Sequence, residues 1–441
     1  VKLHLTAISA HQGGSFPSPM KRTPSLVPLL VVALATAAVD AVDDIGVSDS
    51  FPVPAPIEAA EVKLGFLSAT LGDHMVLQRA PQAAVVWGHT TPGATVTTDF
   101  DGHIVYTTQA GPDGVWRQSL PPTQASSRAY TLAFNSSSGD SAKLMNVLFG
   151  DVYICGGQSN MQFAIGATTN ASAEAQRADA YPNIRLFTVG QKTSSSTPLG
   201  DLQTIEQAWA VASRTSIMGA GGFGYFSSVC WFFGRQIYDV LSMTQEVPIG
   251  LISNNWGGTA IELWSTPHTF EACARTGASG RLYNAMIHPY VVGPMAVSGF
   301  TWYQGEANTG SEESAAAYAC LFPAMISEWR KLFNNPSAYF GFIQLSTWCG
   351  PPSGIAAMRD AQMAALALPN VGYATNADHG AGCNIHPGSK QFCGYRLGNS
   401  ALALQYGRRI PWRSPSFKSS QVSVSANLVS VTVHLNDVSE A

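Results

Sequence analysis

Hydrophobic and polar residues follow two different patterns along this chain of 441 residues. Between residues 64 and 145 the apolar runs are short, β-prone and separated by Pro, Gly, Asp and Ser. That spacing is typical of a small all-β domain. We therefore predict an N-terminal β domain over residues 64–145.

From residue 146 short apolar runs alternate with longer helix-like stretches. We predict buried parallel strands in VPIGLISNNWGG, MAVSGFTWYQGEAN, AYFGFIQLST and NVGYATNADHG. Helices are predicted in FSSVCWFFGRQIYDVL, SAAAYACLFPAMISEWRKLF and IAAMRDAQMAALAL. This alternation indicates an α/β domain over residues 146–410, whose sheet is covered on both faces and binds ligands at the carboxyl ends of its strands. Residues 411–441 return to a β-like pattern, which we interpret as the start of an incomplete C-terminal β-segment.

The N-terminal residues carry the pattern of a secretory signal peptide. MKRTPSLVPLLVVALATAAVDA has a basic start, an apolar stretch and then small residues. We predict a signal peptide over residues 20–41 that starts at Met20, with residues 1–19 as translated leader or an artefact. A membrane anchor is the alternative, but Pro28 interrupts the apolar stretch, which is shorter than the roughly 20 residues that a spanning helix needs.

Composition and charge narrow the classes of function. Apolar residues make up 46% of the chain and charged residues only 12%, which supplies a large core and argues against general disorder. The formal net charge is −4 and no long Lys/Arg run is present, so the sequence does not suggest nucleic-acid binding. After removal of the signal we expect no membrane association, and the oligomeric state stays open.

Seven cysteines fit an oxidising compartment, with up to three disulfides and one free thiol. Cys383 and Cys393 lie close enough in sequence to close a loop. No cysteine or histidine cluster has zinc spacing, so we expect no metal. Asn135 and Asn170 begin N-glycosylation sequons, which count only in a secreted chain. With the signal peptide, these features predict a secreted or lysosomal protein.

Three polar stretches follow predicted strands and carry residues suited to ester chemistry. In GGQSNM, Ser159 lies near a helix start whose N–H groups can stabilise an oxyanion, so it is either a nucleophile or a helix cap. In WYQGEAN, Gln304, Glu306 and Asn308 place polar groups at the same predicted sheet edge, where they either donate to a developing negative charge or form a turn that caps the next helix. In NIHPGSKQ, His386 can accept a serine proton near neutral pH, although a single histidine is more often structural.

These stretches, with SNNWGGTAIELW and LYNAMIHP between them, resemble the sialate O-acetylesterases of the SGNH (GDSL-like) esterase superfamily. The resemblance covers roughly residues 64 to 410 and includes GDHMVLQRAP and GVWRQSLPP in the β-region. It implies a three-layer α/β/α flavodoxin-like SGNH hydrolase domain, with the small N-terminal all-β domain and the C-terminal β-segment beside it. It also implies removal of O-acetyl groups from sugars without a metal or organic cofactor.

The resemblance assigns roles to individual residues. Ser159 takes the role of the nucleophile and His386 that of the general base. The oxyanion hole would use the serine N–H, a glycine N–H and one side-chain amide, which is ambiguous because the superfamily's G-x-N turn here reads GEAN. The candidate donors are Ser159, Gly257, Gly258, Gln304 and Asn308.

The residue that orients the histidine departs from the superfamily pattern. An aspartate often stands three residues before the histidine, and that position here is Cys383. The closest upstream acid is Asp378, in NADHG at a predicted strand end. Asp378 is either the third member of a triad or an ordinary loop aspartate, and in the second case a backbone carbonyl or water holds the imidazole.

Specificity has to come from the walls around the sugar, because only an acetyl group needs to fit beside the serine. Most tryptophans belong to a core, but aromatic residues near strand ends can contact a sugar. The candidates are Trp256, Trp264, Trp302, Tyr303 and Trp348. Arg359 and Arg396 could meet a sialic acid carboxylate, but a helix-surface or structural ion-pair role is the more common one for such residues.

The expected partner is an O-acetylated sugar or glycan, with sialic acid as the family's substrate. One alternative is an acetylesterase that acts on plant or microbial polysaccharides of the xylan type. Another is a non-catalytic sugar-binding relative, which the missing aspartate at position 383 would favour.

Overall fold

The computed structural model describes residues 3–8, 56–57, 64–219, 225–277, 279–350, 352–425 and 428–436. It divides into two compact units, one of residues 1–49 and 414–441 and the other of residues 50–413. The predicted signal peptide, residues 20–41, lies outside the described residues.

The described strands and helices are numbered in chain order. The strands are β1 (Leu3–Ile8), β2 (Pro56–Ile57), β3 (Val76–Gln78), β4 (Val85–His89), β5 (Thr95–Phe100), β6 (Ile104–Gln109), β7 (Val115–Ser119), β8 (Ser126–Ser136), β9 (Ser141–Gly157), β10 (Ile184–Val189), β11 (Ser194–Ser195), β12 (Ile205–Val211), β13 (Ile249–Asn255), β14 (Gly299–Tyr303), β15 (Tyr339–Gln344), β16 (Val371–Thr375), β17 (Ser416–Ser425) and β18 (Leu428–Asn436). The α-helices are α1 (Ser159–Gln162), α2 (Ala171–Arg177), α3 (Arg214–Met218), α4 (Ser228–Ser242), α5 (Pro267–Glu271), α6 (His288–Val291), α7 (Glu312–Leu332), α8 (Pro352–Met363) and α9 (Lys390–Leu404).

The smaller unit contains a three-stranded antiparallel sheet in the order β1-β18-β17. Strands β17 and β18 fall in the segment whose pattern predicts β-structure. Strand β1 comes from the residues interpreted as a leader.

Strand β9, with 17 residues, organises the larger unit. Its first part pairs antiparallel with β8, while its last part, from Asp151, pairs in parallel with β13 on one side and β14 on the other. The predicted boundary between residues 145 and 146 therefore falls inside one strand. The β-rich region before it is continuous with the larger sheet through β9.

The sheet order around β9 is β12-β10-β13-β9-β14-β15-β16. Each pair from β10 to β16 is parallel, whereas β12 is antiparallel to β10. The sheet is therefore mixed, not wholly parallel as predicted. Strands β13 to β16 confirm the four predicted buried strands, whereas β10 and β12 have no counterpart in the prediction.

Helices pack on both faces of this sheet. Successive residues of a strand point to opposite faces, so their contacts show which helix covers which face. Tyr153 of β9 and Tyr339 of β15 contact Phe233 of α4 on one face. The next residue in β15, Phe340, contacts Trp329 of α7 on the other. Helices α4, α7 and α8 confirm the three predicted helical stretches. In the described ranges, no helix has both the length and the apolar character that a membrane crossing requires.

Three disulfides are present, as the cysteine count allows, but one predicted pairing is wrong. The bonds are Cys155–Cys230, Cys273–Cys320 and Cys349–Cys383. Cys393 is a buried thiol in the first turns of α9, where its Sγ lies 3.2 Å from the Lys390 carbonyl oxygen. It therefore faces the core, whereas Cys383 belongs to a loop that is tied to the loop after β15.

Candidate active site

Loops at the carboxyl ends of the strands bring the predicted nucleophile and base together. Ser159 follows β9 as the first residue of α1, and His386 lies in the loop between β16 and α9. His386 Nε2 lies 2.7 Å from Ser159 Oγ, although 227 positions separate the two residues. Both are largely buried, at 8% and 3% exposure. This distance is that of a hydrogen bond through which an imidazole can accept the hydroxyl proton.

The backbone before Ser159 turns sharply at Gly157. Its φ of 136° favours glycine, and a Cβ at this position would overlap the Tyr303 carbonyl group. The N–H of Gln158 donates to that same carbonyl oxygen at 2.9 Å. The second glycine of GGQSNM is therefore needed for the turn that presents the serine.

Two glutamines beside the serine attach its turn to the neighbouring loops. Gln158 Oε1 accepts hydrogen bonds from Gly305 N–H at 3.4 Å and Ala307 N–H at 3.1 Å. Gln162 Oε1 accepts one from Gly257 N–H at 2.6 Å. The serine turn is thus fixed to WYQGEAN on one side and to NWGG on the other. These glutamines had no predicted role, and their one signal is polarity within a buried stretch.

Asn160, directly after the serine, connects to the histidine loop. Its Nδ2 donates to the Ile385 carbonyl oxygen at 2.9 Å and to Glu306 Oε1 at 2.5 Å. Lys390 donates through Nζ to Asn160 Oδ1. Neither Asn160 nor Lys390 was predicted to belong to the site. The sequence gives only their proximity to it: Asn160 directly follows Ser159, and Lys390 comes four residues after His386.

Burial shifts the pKa values of the two charged groups beside this amide in opposite directions. Loss of solvent raises the pKa of Glu306, while the hydrogen bond from Asn160 and the charge of Lys390 lower it. The pKa of Lys390 is lowered to about 8, because loss of solvent outweighs the electrostatic influence of Cys393 and Glu306, which raises it. Each charged form is therefore stabilised by the presence of the other.

Several of the predicted oxyanion-hole donors already donate within the protein. Gln304 Nε2 lies within 3.1 Å of three acceptor oxygens, more than its two hydrogens can serve. The single N–H of Gly257 donates to a glutamine side chain of the serine turn. Asn308 Nδ2 donates one hydrogen bond to a glutamate carboxylate at 2.9 Å. Gly258 is exposed and has a φ of 72°.

The structure places Asp378 in an ion pair with Arg396. Each carboxylate oxygen accepts a hydrogen bond from Arg396 at 2.7 Å, and the Asp378 side chain is 54% exposed. The Arg396 guanidinium lowers the pKa of Asp378 below its usual value. Arg396 thus has the structural ion pair that was one of its predicted roles. Cys383, where the superfamily often has an acid, instead forms the disulfide with Cys349.

Most of the aromatic residues considered as sugar contacts belong to the core. Trp256, Trp264, Trp302 and Tyr303 are each at most 2% exposed. Trp302, for example, packs edge-to-face on Trp264 and donates through Nε1 to a tyrosine hydroxyl. Of the five candidates only Trp348 is partly exposed, in the loop that the Cys349–Cys383 disulfide ties to the histidine loop.

Two other expectations concern modification and metal binding. Asn135 and Asn170 are both exposed, which leaves their sequons accessible. In the part of the chain that the structure describes, no group of three or more His, Cys, Asp or Glu side chains is arranged to hold a metal ion.

Comparison with known proteins places this geometry in a family. The model described as "Carbohydrate esterase, sialic acid-specific acetylesterase" matches residues 149–400, which include Ser159 and His386. The sialate O-acetylesterase of Mus musculus is 32% identical over 84% of this chain and 79% of its own length, and that of Homo sapiens is 34% identical over 78% and 72%. The crystal structure of a carbohydrate acetylesterase from Xanthomonas citri matches with a TM-score of 0.70 and 32% identity, over 81% of this chain and 78% of that one. On these matches, the chain belongs to the sialic acid-specific acetylesterase family of carbohydrate esterases.

Proposed function

We propose that this protein is a sialate O-acetylesterase that removes O-acetyl groups from sialic acids through a serine acyl-enzyme. The observation that carries this proposal is the 2.7 Å contact between Ser159 Oγ and His386 Nε2 in a chain of this family. The curated mouse and human relatives carry the same activity in their names.

In the proposed mechanism His386 accepts the Ser159 proton while Oγ attacks the acetyl carbonyl carbon. The tetrahedral anion collapses as the bond to the sugar oxygen breaks, and His386 returns the proton to that oxygen. Water then attacks the acetyl-enzyme, again with His386 as base, and acetate leaves. The tightly held serine turn supports this mechanism because it fixes the attacking atom beside its base.

For the oxyanion we propose the Ser159 N–H together with Gly258 or Asn308. The hydrogens of Gln304 Nε2 and of Gly257 N–H are directed to protein acceptors, which argues against both. Loss of one such donor commonly lowers kcat by about 100-fold or more. As the aromatic side chain that contacts the sugar we propose Trp348, because the other four aromatic candidates are buried.

We further propose that the α/β part is a three-layer flavodoxin-like SGNH domain. Five neighbouring strands, β13-β9-β14-β15-β16, numbered among themselves by their order along the chain, read 2-1-3-4-5, which is the flavodoxin-like order. Strands β10 and β12 extend this set beyond β13. The helices on both faces of the sheet support the same assignment.

We also propose that the chain enters the secretory route and is secreted or lysosomal. Its three disulfides suit an oxidising compartment, and the exposed Asn135 and Asn170 would then be glycosylated. The predicted signal peptide over residues 20–41 agrees with this route.

The substrate is tested by acetate release from O-acetylated sialic acid and from acetylated xylan. We expect kcat/KM to be at least about 10-fold higher on the sialic acid, a difference of about 1.4 kcal/mol in transition-state binding. A preference for xylan would favour the polysaccharide esterase instead. Absence of hydrolysis of both, and of a chromogenic acetyl ester, would favour a non-catalytic sugar-binding protein.

The role of Asp378 is tested by Asp378→Asn beside the matched variant Arg396→Gln. Because both carboxylate oxygens bind Arg396, we expect each variant to lower kcat by less than about 5-fold, and by similar amounts. Loss of a triad acid would instead lower kcat by about 10⁴-fold. A loss of that size in Asp378→Asn alone would make Asp378 the acid that orients His386.

A further inference from the structure

Lys390 is a buried ammonium that the proposed ester chemistry does not itself use. Its side chain is fully buried, and Nζ lies 4.7 Å from the centre of the Phe163 ring and 5.4 Å from that of Tyr303. Aromatic faces attract a cation, but they offset only part of the hydration free energy that an ion loses when it is buried. The hydrogen bond to Asn160 Oδ1 supplies an oxygen acceptor.

The surrounding groups allow the Asn160 carboxamide only one orientation. Its oxygen faces the Lys390 ammonium, which can only donate hydrogen bonds. Its nitrogen faces the Glu306 carboxylate at 2.5 Å and the Ile385 carbonyl oxygen at 2.9 Å, which can only accept them. A 180° turn of the amide would place donor against donor and acceptor against acceptor. The amide dipole is therefore aligned between a cation and an anion.

The Asn160 amide links chain segments that are directly adjacent to Ser159 and His386. Asn160 directly follows Ser159, and Ile385 directly precedes His386. A single side chain thus joins the backbone neighbours of the two residues whose side chains meet at 2.7 Å. Glu306, on the turn after β14, anchors the same amide from a third loop.

We propose that Lys390 and Glu306, acting through Asn160, are positioning residues that hold Ser159 and His386 at their reactive distance. This inference rests on the proposed esterase mechanism and adds to it the groups that maintain its geometry. The cation and the carboxylate immobilise the amide, and the amide sets the separation of the serine turn from the histidine loop. A misplacement of about 1 Å in such a pair lowers the rate by on the order of 10²-fold.

The test is a double-substitution cycle of Lys390→Met and Glu306→Gln, with kcat and KM measured on a chromogenic acetyl ester. Lys390→Met leaves the Glu306 carboxylate buried without its cation, so kcat should fall about 10- to 100-fold while KM changes less than about 3-fold. Glu306→Gln removes that charge and keeps an acceptor oxygen for Asn160. The double variant should therefore have a kcat at least about 5-fold above that of Lys390→Met alone.

A second readout separates this inference from the esterase assignment. A serine-directed fluorophosphonate labels an activated serine without any acetyl substrate. The labelling rate of Ser159 should therefore follow kcat: highest in the parent, lower in the double variant and lower still in Lys390→Met. The control cycle is Lys331→Met with Glu328→Gln, an ion pair on α7 between an exposed lysine and a largely buried glutamate whose Nζ and Oε2 are 3.8 Å apart. Neither control variant should change kcat or the labelling rate more than about 2-fold.

Each outcome decides for or against the positioning role. If the parent hydrolyses no acetyl ester but Ser159 labelling still depends on Lys390, the esterase proposal fails and the positioning role stands. Unchanged kcat and labelling in a folded Lys390→Met variant would overturn it. It would also be overturned if the fold-loss in kcat of the double variant equalled the product of the two single fold-losses. If Lys390→Met does not fold, Glu306→Gln alone should lower kcat about 10-fold at unchanged KM, and an unchanged kcat would overturn the role.

Discussion

Replacing Ser159 with alanine should lower kcat on a chromogenic acetyl ester by about 10⁴-fold or more, because the acyl-enzyme can no longer form. The fold should survive, since the Ser159 backbone and the contacts of Gln158, Asn160 and Gln162 are retained. KM should change little, because the missing oxygen contributes to the transition state far more than to binding.

The measurement compares Ser159→Ala with the parent and with Ser337→Ala. Ser337 is exposed beside the start of β15, at the opposite end of the sheet, and serves as the control for loss of a serine hydroxyl. Retention of more than about a tenth of the parent kcat in Ser159→Ala would exclude Ser159 as the nucleophile. The same variant should lose all fluorophosphonate labelling at this position.

His386→Ala should produce a loss of similar size, about 10⁴-fold in kcat. In a serine esterase the nucleophile and its base act as one unit, so the effects of removing them do not add. The double variant Ser159→Ala/His386→Ala should accordingly be no less active, within about 3-fold, than either single variant.

The control for His386→Ala is His103→Ala, which removes an exposed imidazole from a turn in the β-region. If Ser159→Ala and His386→Ala multiply their losses in the double variant, the two side chains act in independent steps. That result would contradict the proton transfer across the 2.7 Å contact.

The elements that follow from local pattern were the ones predicted correctly. Buried strands such as β13 and helices such as α4 can be recognised in the sequence, because the pattern of apolar residues within a short window indicates them. The edge strand β12 was not predicted because only two of its seven residues are buried and its position depends on pairing with β10. The position of β9 in both parts of the larger sheet likewise depends on distant partners.

The cysteines illustrate the same limit. Their number correctly allowed three disulfides, but proximity in sequence suggested Cys383 and Cys393 as partners. In the structure Cys383 meets Cys349 across two loops, and α9 directs Cys393 into the core. Pairing depends on where the loops lie in space, which sequence spacing does not encode.

The sequence by itself determined the catalytic candidates of this protein. Ser159 and His386 follow buried strands of an α/β pattern, and parallel strands bring their carboxyl ends to one edge of the sheet. The tertiary structure alone decided which polar groups around them remain available for chemistry. It buries Trp302 in the core, pairs Asp378 with Arg396, and gathers Lys390 and Glu306 around Asn160. The physical reason is that burial and hydrogen-bond partners are set by residues far apart in the chain, whereas strand ends follow from local pattern.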